Sequence, residues 1–199
     1  QTMAQFFACF VDAKEWADAS GRKPRTLSPN DGAVLTGDTW ERAYARVLEM
    51  LERLGKEQSD ELRQVFSFHE MEENRRQHVI SAVATVEEGG VLNEKIERVD
   101  ELYRKGVRLI TLTWNYENCL AYPNSRDARV MQGRLKPFGL EVLRRMNELG
   151  MVVDVSHLSD GGFWDCIKYG EDPIVASHSN CRALCDHPRN LTDEMLRAL

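Results

Sequence analysis

Two rhythms of apolar residues take turns along this chain. In the first, short β-branched runs scarcely alternate with polar residues: Phe6–Val11, Val79–Val86, Val107–Thr113, Met151–Val155 and Ile174–Ser177. Strands covered on both faces of a parallel sheet read this way, because neither face meets water. A weaker sixth run lies near Leu62 to Phe68. In the second rhythm, apolar residues recur at helical spacing. One such stretch begins near Trp40, carries Ala43, Val47, Leu48, Leu51 and Leu54, and stops at Gly55. Another carries Ile96, Val99, Leu102 and Tyr103 and stops at Gly106, and a third carries Leu140, Val142, Leu143 and Met146 and stops at Gly150. Glycine at a helix end permits the left-handed residue that returns the chain toward the sheet. A further helix-like stretch with Gly161, Phe163, Trp164 and Ile167 separates the last two strands.

Strand and helix in alternation predict an α/β fold, either a (β/α)8 barrel or a doubly wound sheet. Six units fall short of the eight that close a barrel. The expectation is therefore one domain over residues 1–199, an incomplete barrel or an open doubly wound sheet. The chain opens on Gln1 and runs almost directly into a strand, and it ends at Leu199 within a helix begun by Thr192, Asp193 and Glu194. Both ends read as cut. Unpaired strand edges invite association, and either a second copy, giving a homodimer, or a separate chain could cover them. The one long interruption, 114–135, follows a strand and so rises from the carboxyl-end rim as a binding loop.

Composition narrows the function classes. The 199 residues are 42% hydrophobic, enough for a substantial core, and the net charge of −6 argues against nucleic acid or an anionic membrane as partner. No apolar run approaches the roughly 20 residues that span a bilayer, and no signal peptide is visible. Five cysteines, at 9, 119, 166, 181 and 185, are odd in number and share no framework spacing. That pattern predicts reduced thiols in a cytoplasmic protein.

The chemistry concentrates at strand ends. His157 and His178 each stand where a strand runs out, one βα unit apart. Strands joined by a single helix are parallel neighbours, so the two imidazoles share one rim, where barrel enzymes keep catalytic and metal-binding groups. A lone strand-end histidine is more often a hydrogen-bonded structural residue; two at equivalent ends favour a metal. The strand 79–86 ends in Glu87-Glu88-Gly89-Gly90, which adds a carboxylate, and only one of the two acids can point inward. Two imidazoles and a carboxylate suit a hydrolytic zinc site with a position open for water. Asp154, inside its strand, reads as a buried hydrogen-bonded group behind the ligands. Arg189 could cap a turn or grip a carboxylate in a bidentate fork. His187 reads as a turn residue, and Trp114 as a wall of the pocket or of the core.

Taken in order, Thr-Val-Glu-Glu-Gly-Gly (85–90), Gly-Val-Arg-Leu-Ile-Thr-Leu-Thr-Trp-Asn-Tyr-Glu-Asn (106–118), the run from Pro137 to Asp160, Pro-Ile-Val-Ala-Ser-His-Ser (173–179) and His-Pro-Arg-Asn-Leu (187–191) resemble the membrane (renal) dipeptidase family of zinc metallopeptidases, in a bacterial-type member. The resemblance implies a metal-dependent hydrolase (β/α)8 barrel, of which this chain lacks the first and last strands, with two zinc ions bridged by a catalytic glutamate and a water that attacks the peptide carbonyl of a dipeptide. The bridging role falls on Glu87, with Glu88 as second choice. His157 and His178 complete one zinc, and Arg189 gathers the substrate carboxylate, with Trp114 and Asn115 also touching substrate. Mammalian members carry a histidine where Trp114 stands. The His-x-Asp pair that binds the other zinc in the family has no counterpart here, so this chain is expected to hold the ligands of one ion. Two other readings stay open: a non-catalytic metal-binding or assembly protein with half of the site, and a related barrel hydrolase acting on another amide or a lactone.

Overall fold

A computed structural model describes residues 4–12 and 37–199 of the chain. Strand β1 (Ala4–Phe10) comes first, and helix α1 (Gly37–Lys56) buries Trp40, Ala43, Tyr44, Val47 and Leu51 along one stripe. The weak sixth run is a real strand, β2 (Leu62–Gln64), followed by α2 (Phe68–Arg76), whose capping box pairs Ser67 with Glu70. Then come β3 (Ile80–Glu87), α3 (Glu97–Arg104), β4 (Val107–Thr111), the short α4 (Ala128–Met131), α5 (Pro137–Leu149), β5 (Val152–Asp154), α6 (Asp160–Tyr169), β6 (Ile174–Val175) and α7 (Asp193–Ala198). The glycines after α3 and α5 turn the chain as predicted, with φ of +96° at Gly106 and +66° at Gly150.

All strand pairs are parallel, in the order β1-β3-β4-β5-β6, and β2 joins the first residues of β3. Strands that neighbour in space in the order of the chain, each crossing over through a helix, form the wall of a (β/α) barrel. One row of the register runs through the whole path at its carboxyl end: Phe10, Glu87, Thr111, Asp154 and Val175. Below that row Val86, Ile110 and Val153 are buried in the same apolar core as Val142, Leu143 and Met146 of α5. Each such side chain contributes roughly 1.5–3 kcal/mol by leaving water. The apolar layer holds the row rigid; the chemistry stands on top of it.

The later strands are shorter than their apolar runs predict. The Asp154 carboxylate accepts from the Ser156 and Ser177 backbone N–H groups, both at 3.0 Å, so a side chain takes over from the ladder where β5 and β6 stop. The loop 114–135 also departs from expectation, since it carries α4, capped by the Asp127 side chain on Arg129 N. A four-residue helix is too short to show a period.

Candidate metal centre

Glu87 ends β3, and the two histidines follow β5 and β6 by three residues each. His157 Nε2 and His178 Nε2 lie 3.0 Å apart, with Glu87 Oε1 at 3.5 Å from the first and 3.4 Å from the second. Among the described residues this is the group of side chains whose ligand atoms all fall within 4.8 Å of one another. Bonds of about 2.0–2.1 Å in a tetrahedral sphere set neighbouring donors roughly 3.3 Å apart. The observed triangle has that size.

The chemistry of the three atoms fits a cation as well as their spacing does. His178 Nδ1 stands 2.7 Å from Ser177 Oγ, whose single proton goes to Asp154 Oδ2, also at 2.7 Å. Ser177 can therefore only accept from the ring, which places the proton on Nδ1 and the lone pair on Nε2. His157 Nδ1 lies 3.0 Å from Asn115 Oδ1, with the same consequence. Burial, with the nearby Arg189 charge and His178, pushes the His157 pKa down to about 3, so its ring is neutral near pH 7. Burial pulls the Glu87 carboxyl above its ordinary value, against the pull of His178 and Arg189. Three acceptors thus converge with no donor between them, an arrangement that a divalent cation stabilises.

Asp154 stands behind this triangle. It is buried, and its four hydrogen bonds, two from Ser177 and one each from Ser156 and Thr111, outweigh desolvation and hold its pKa below the usual carboxylate value. His157 sits at φ +68°, which a non-glycine residue rarely adopts. Its carbonyl accepts from Asn124 twice, from the backbone N at 2.7 Å and from Nδ2 at 3.0 Å, and this clamp keeps the ring aimed at the triangle.

Glu88 faces elsewhere. It is buried and accepts from Asn118 Nδ2 at 2.6 Å, Gly90 N at 2.8 Å and Trp114 N at 3.2 Å. Burial lifts its pKa to about 7. Its work is to tie the 114–118 loop to the end of β3.

The full length of the chain, residues 1–199, matches the family model described as membrane dipeptidase, peptidase family M19. The chain belongs to the membrane dipeptidase family. An uncharacterised protein from the pqqA 5′ region of Klebsiella pneumoniae is 34% identical over 158 residues, covering 76% of this chain and 57% of that protein. The dipeptidase verJ of Clonostachys rogersoniana is 30% identical over 158 residues, covering 79% of this chain and 40% of its own. Among solved structures, the probable dipeptidase PvdM from Pseudomonas aeruginosa superposes with a TM-score of 0.79 at 22% identity, over 98% of this chain and 47% of that one. The fold is thus shared, and the chain spans about half the length of the relatives it matches.

Within this membrane-dipeptidase fold the residues expected from sequence gather at one rim. Arg189 donates to the His178 carbonyl and to Ser179 Oγ, half-buried beside the triangle; burial lowers its pKa while Glu87 and Asp154 raise it. His187 accepts from Arg189 N, a turn contact as expected. Trp114 packs edge-to-face on Phe10, ring centroids 4.9 Å apart, and on Tyr116 at 5.5 Å, and lies 6.1 Å from the His157 ring. Asn115 turns its carboxamide oxygen onto His157. Sequence reasoning did not find Asn118, Asn124 or Ser177; a polar residue in a loop announces no direction. All five cysteines are free thiols. Among the described residues no helix is long and apolar enough to cross a membrane.

Proposed function

We propose that this chain carries one zinc subsite and the substrate-carboxylate grip of a zinc-dependent dipeptidase. The observation that carries the reading is the triangle of Glu87 Oε1, His157 Nε2 and His178 Nε2, three lone-pair atoms at coordination spacing. Family membership supports the dipeptide as substrate. When bound, zinc polarises the scissile carbonyl and supplies an activated water at neutral pH. The residues of the chain do the rest. Glu87 would hold the ion through one oxygen, and its other oxygen would be available to a further ion. Arg189, already close enough to feel the Glu87 charge, pairs with the carboxylate of the dipeptide and fixes which bond is presented. Trp114, with Phe10 and Tyr116, walls the pocket with apolar surface and keeps bulk water off the reacting bond. Asn115, its oxygen committed to His157, has its amide N–H left to offer to substrate. A second copy, covering the edge of β1 where Phe6 is exposed, belongs to the same reading.

The test pairs metal analysis with a substrate panel. Protein loaded with zinc should hold one ion tightly at the triangle and lose it on His157→Ala, and with a second ion bound it should hydrolyse dipeptides in preference to their C-terminal amides. Zinc retained without turnover of any dipeptide marks a non-catalytic metal-binding protein instead. Turnover of N-acyl amino acids or lactones but not dipeptides marks a different hydrolase.

A further inference from the structure

The two imidazoles of the triangle are held by different devices. Behind His157 stands a neutral amide: Asn115 Oδ1 is 3.0 Å from Nδ1. Behind His178 stands a relay that ends in a charge: Nδ1 to Ser177 Oγ at 2.7 Å, and Ser177 Oγ to Asp154 Oδ2 at 2.7 Å. Both devices are built in. Asn115 immediately follows Trp114, whose backbone N–H is bound by buried Glu88. Ser177 is fixed twice on Asp154, by its hydroxyl and by its backbone N–H at 3.0 Å. Ser156 closes the ring, with its Oγ 3.3 Å from Ser177 Oγ and accepting from the His178 backbone N–H at 3.1 Å.

We infer that Asn115 and Ser177 are positioning residues for metal binding, each fixing one histidine as the tautomer whose Nε2 lone pair faces the ion. This rests on the proposed zinc subsite and adds to it a role for two side chains that need not touch the ion. A hydrogen-bond acceptor on the far nitrogen sets the tautomer and the ring angle, and its loss typically costs 10–100-fold in metal affinity. Arrangement also separates the two. An anionic acceptor can replace the Asn115 oxygen, because a carboxylate accepts as an amide oxygen does. No donor can replace it, because the ring nitrogen already carries the proton.

Zinc affinity of the folded protein, measured by competition with a chromophoric chelator, tests this without any turnover. Asn115→Leu, close in volume and without an acceptor, is expected to weaken zinc binding about 10–100-fold, and Ser177→Ala by a similar factor. Asn115→Asp restores the acceptor and is expected to bind zinc at least as tightly as the unsubstituted chain. Cobalt substitution supplies a second readout, since a tilted ring changes the visible absorption of the bound ion. If Asn115→Leu binds zinc like the parent, or Asn115→Asp is as weak as Asn115→Leu, Asn115 does not position His157. Should Asn115→Leu fail to fold, Asn115→Asp still decides: zinc binding weakened about 10-fold or more means the amide was donating, and the inference fails. If the unsubstituted chain binds no zinc, it is the metal subsite that falls.

Discussion

Thr111 and Asp154 face one another in register across two parallel strands, and the threonine hydroxyl donates to the aspartate at 2.7 Å. That contact closes the set of hydrogen bonds on a carboxylate with no solvent exposure. The aspartate therefore joins the end of the sheet to the site: the same group that ends two strands also backs His178.

Replacing Asp154 by alanine removes an acceptor from four donors at once. Each buried donor left unpaired costs about 1–3 kcal/mol. Relaxation and entering water recover part of that, so Asp154→Ala is expected to destabilise the fold by about 3–5 kcal/mol. Asp154→Asn keeps one acceptor oxygen and should cost about half as much. Urea unfolding monitored by tryptophan fluorescence measures both. A loss below about 1 kcal/mol for Asp154→Ala would mean that water satisfies these groups and that the strands do not end on the carboxylate.

Much of this arrangement was legible in the sequence. Neighbouring parallel strands bring their carboxyl ends together whatever lies in the loops, so His157 and His178 could be paired from two apolar runs and one helix. Alternation along β3 allows one inward acid of the pair Glu87 and Glu88, and it is Glu87 that turns toward the imidazoles. What decides between them is the left-handed backbone of Glu88, φ +98°, for which a glutamate gives no signal. Asn118 and Asn124, and the contact of Asn115 with His157, were not legible for a related reason. They lie in a loop without a period, and their direction is set by contacts 30 to 42 positions away, such as Asn118 with Glu88 and Asn115 with His157. The apolar runs overshoot the strands because apolar character continues past the point where Asp154 takes over the backbone donors.

Trp114 offers a test of the pocket wall. Aromatic pairs are worth about 0.5–1.5 kcal/mol beyond their buried area, and Trp114 makes two. Trp114→Ala should lower stability by about 2 kcal/mol and raise KM for apolar dipeptides about 10-fold, with a smaller change in kcat. Trp114→Phe should retain most of the affinity. Steady-state kinetics on a dipeptide series decides: an unchanged KM in Trp114→Ala places the substrate away from this ring.

Acid should act on the fold through Glu41, in the first turns of α1. Lys95 and Asn93, with Arg98, hold its carboxyl near pKa 2 although burial opposes them. A folded pKa below the ordinary value of 4.5 means stability that is present above about pH 4.5 and is lost as pH falls toward 2. The Glu41 side chain is 42% exposed, so solvent screening limits this contribution to about 1 kcal/mol. Unfolding free energies of the parent and Glu41→Gln should differ by that amount at pH 6 and converge near pH 2. A difference that persists at pH 2 would show that the glutamine loses packing rather than charge.

Gly139 gives the case in which two rules compete. It lies in the first turn of α5, where alanine ordinarily favours a helix over glycine by about 1 kcal/mol. A Cβ there would sit 2.2 Å from the Leu120 carbonyl oxygen, which also accepts from Lys136 N at 2.8 Å. The obstacle is backbone, so no rotamer relieves it, and overpacking of this kind costs about 1–3 kcal/mol. The clash wins: Gly139→Ala should destabilise the fold by up to about 2 kcal/mol net. It should also raise KM, because Leu120 belongs to the same loop as Trp114 and Asn115 and must move with it. A melt at unchanged or higher temperature, with KM intact, would mean that α5 can shift away from the loop without disturbing the rim.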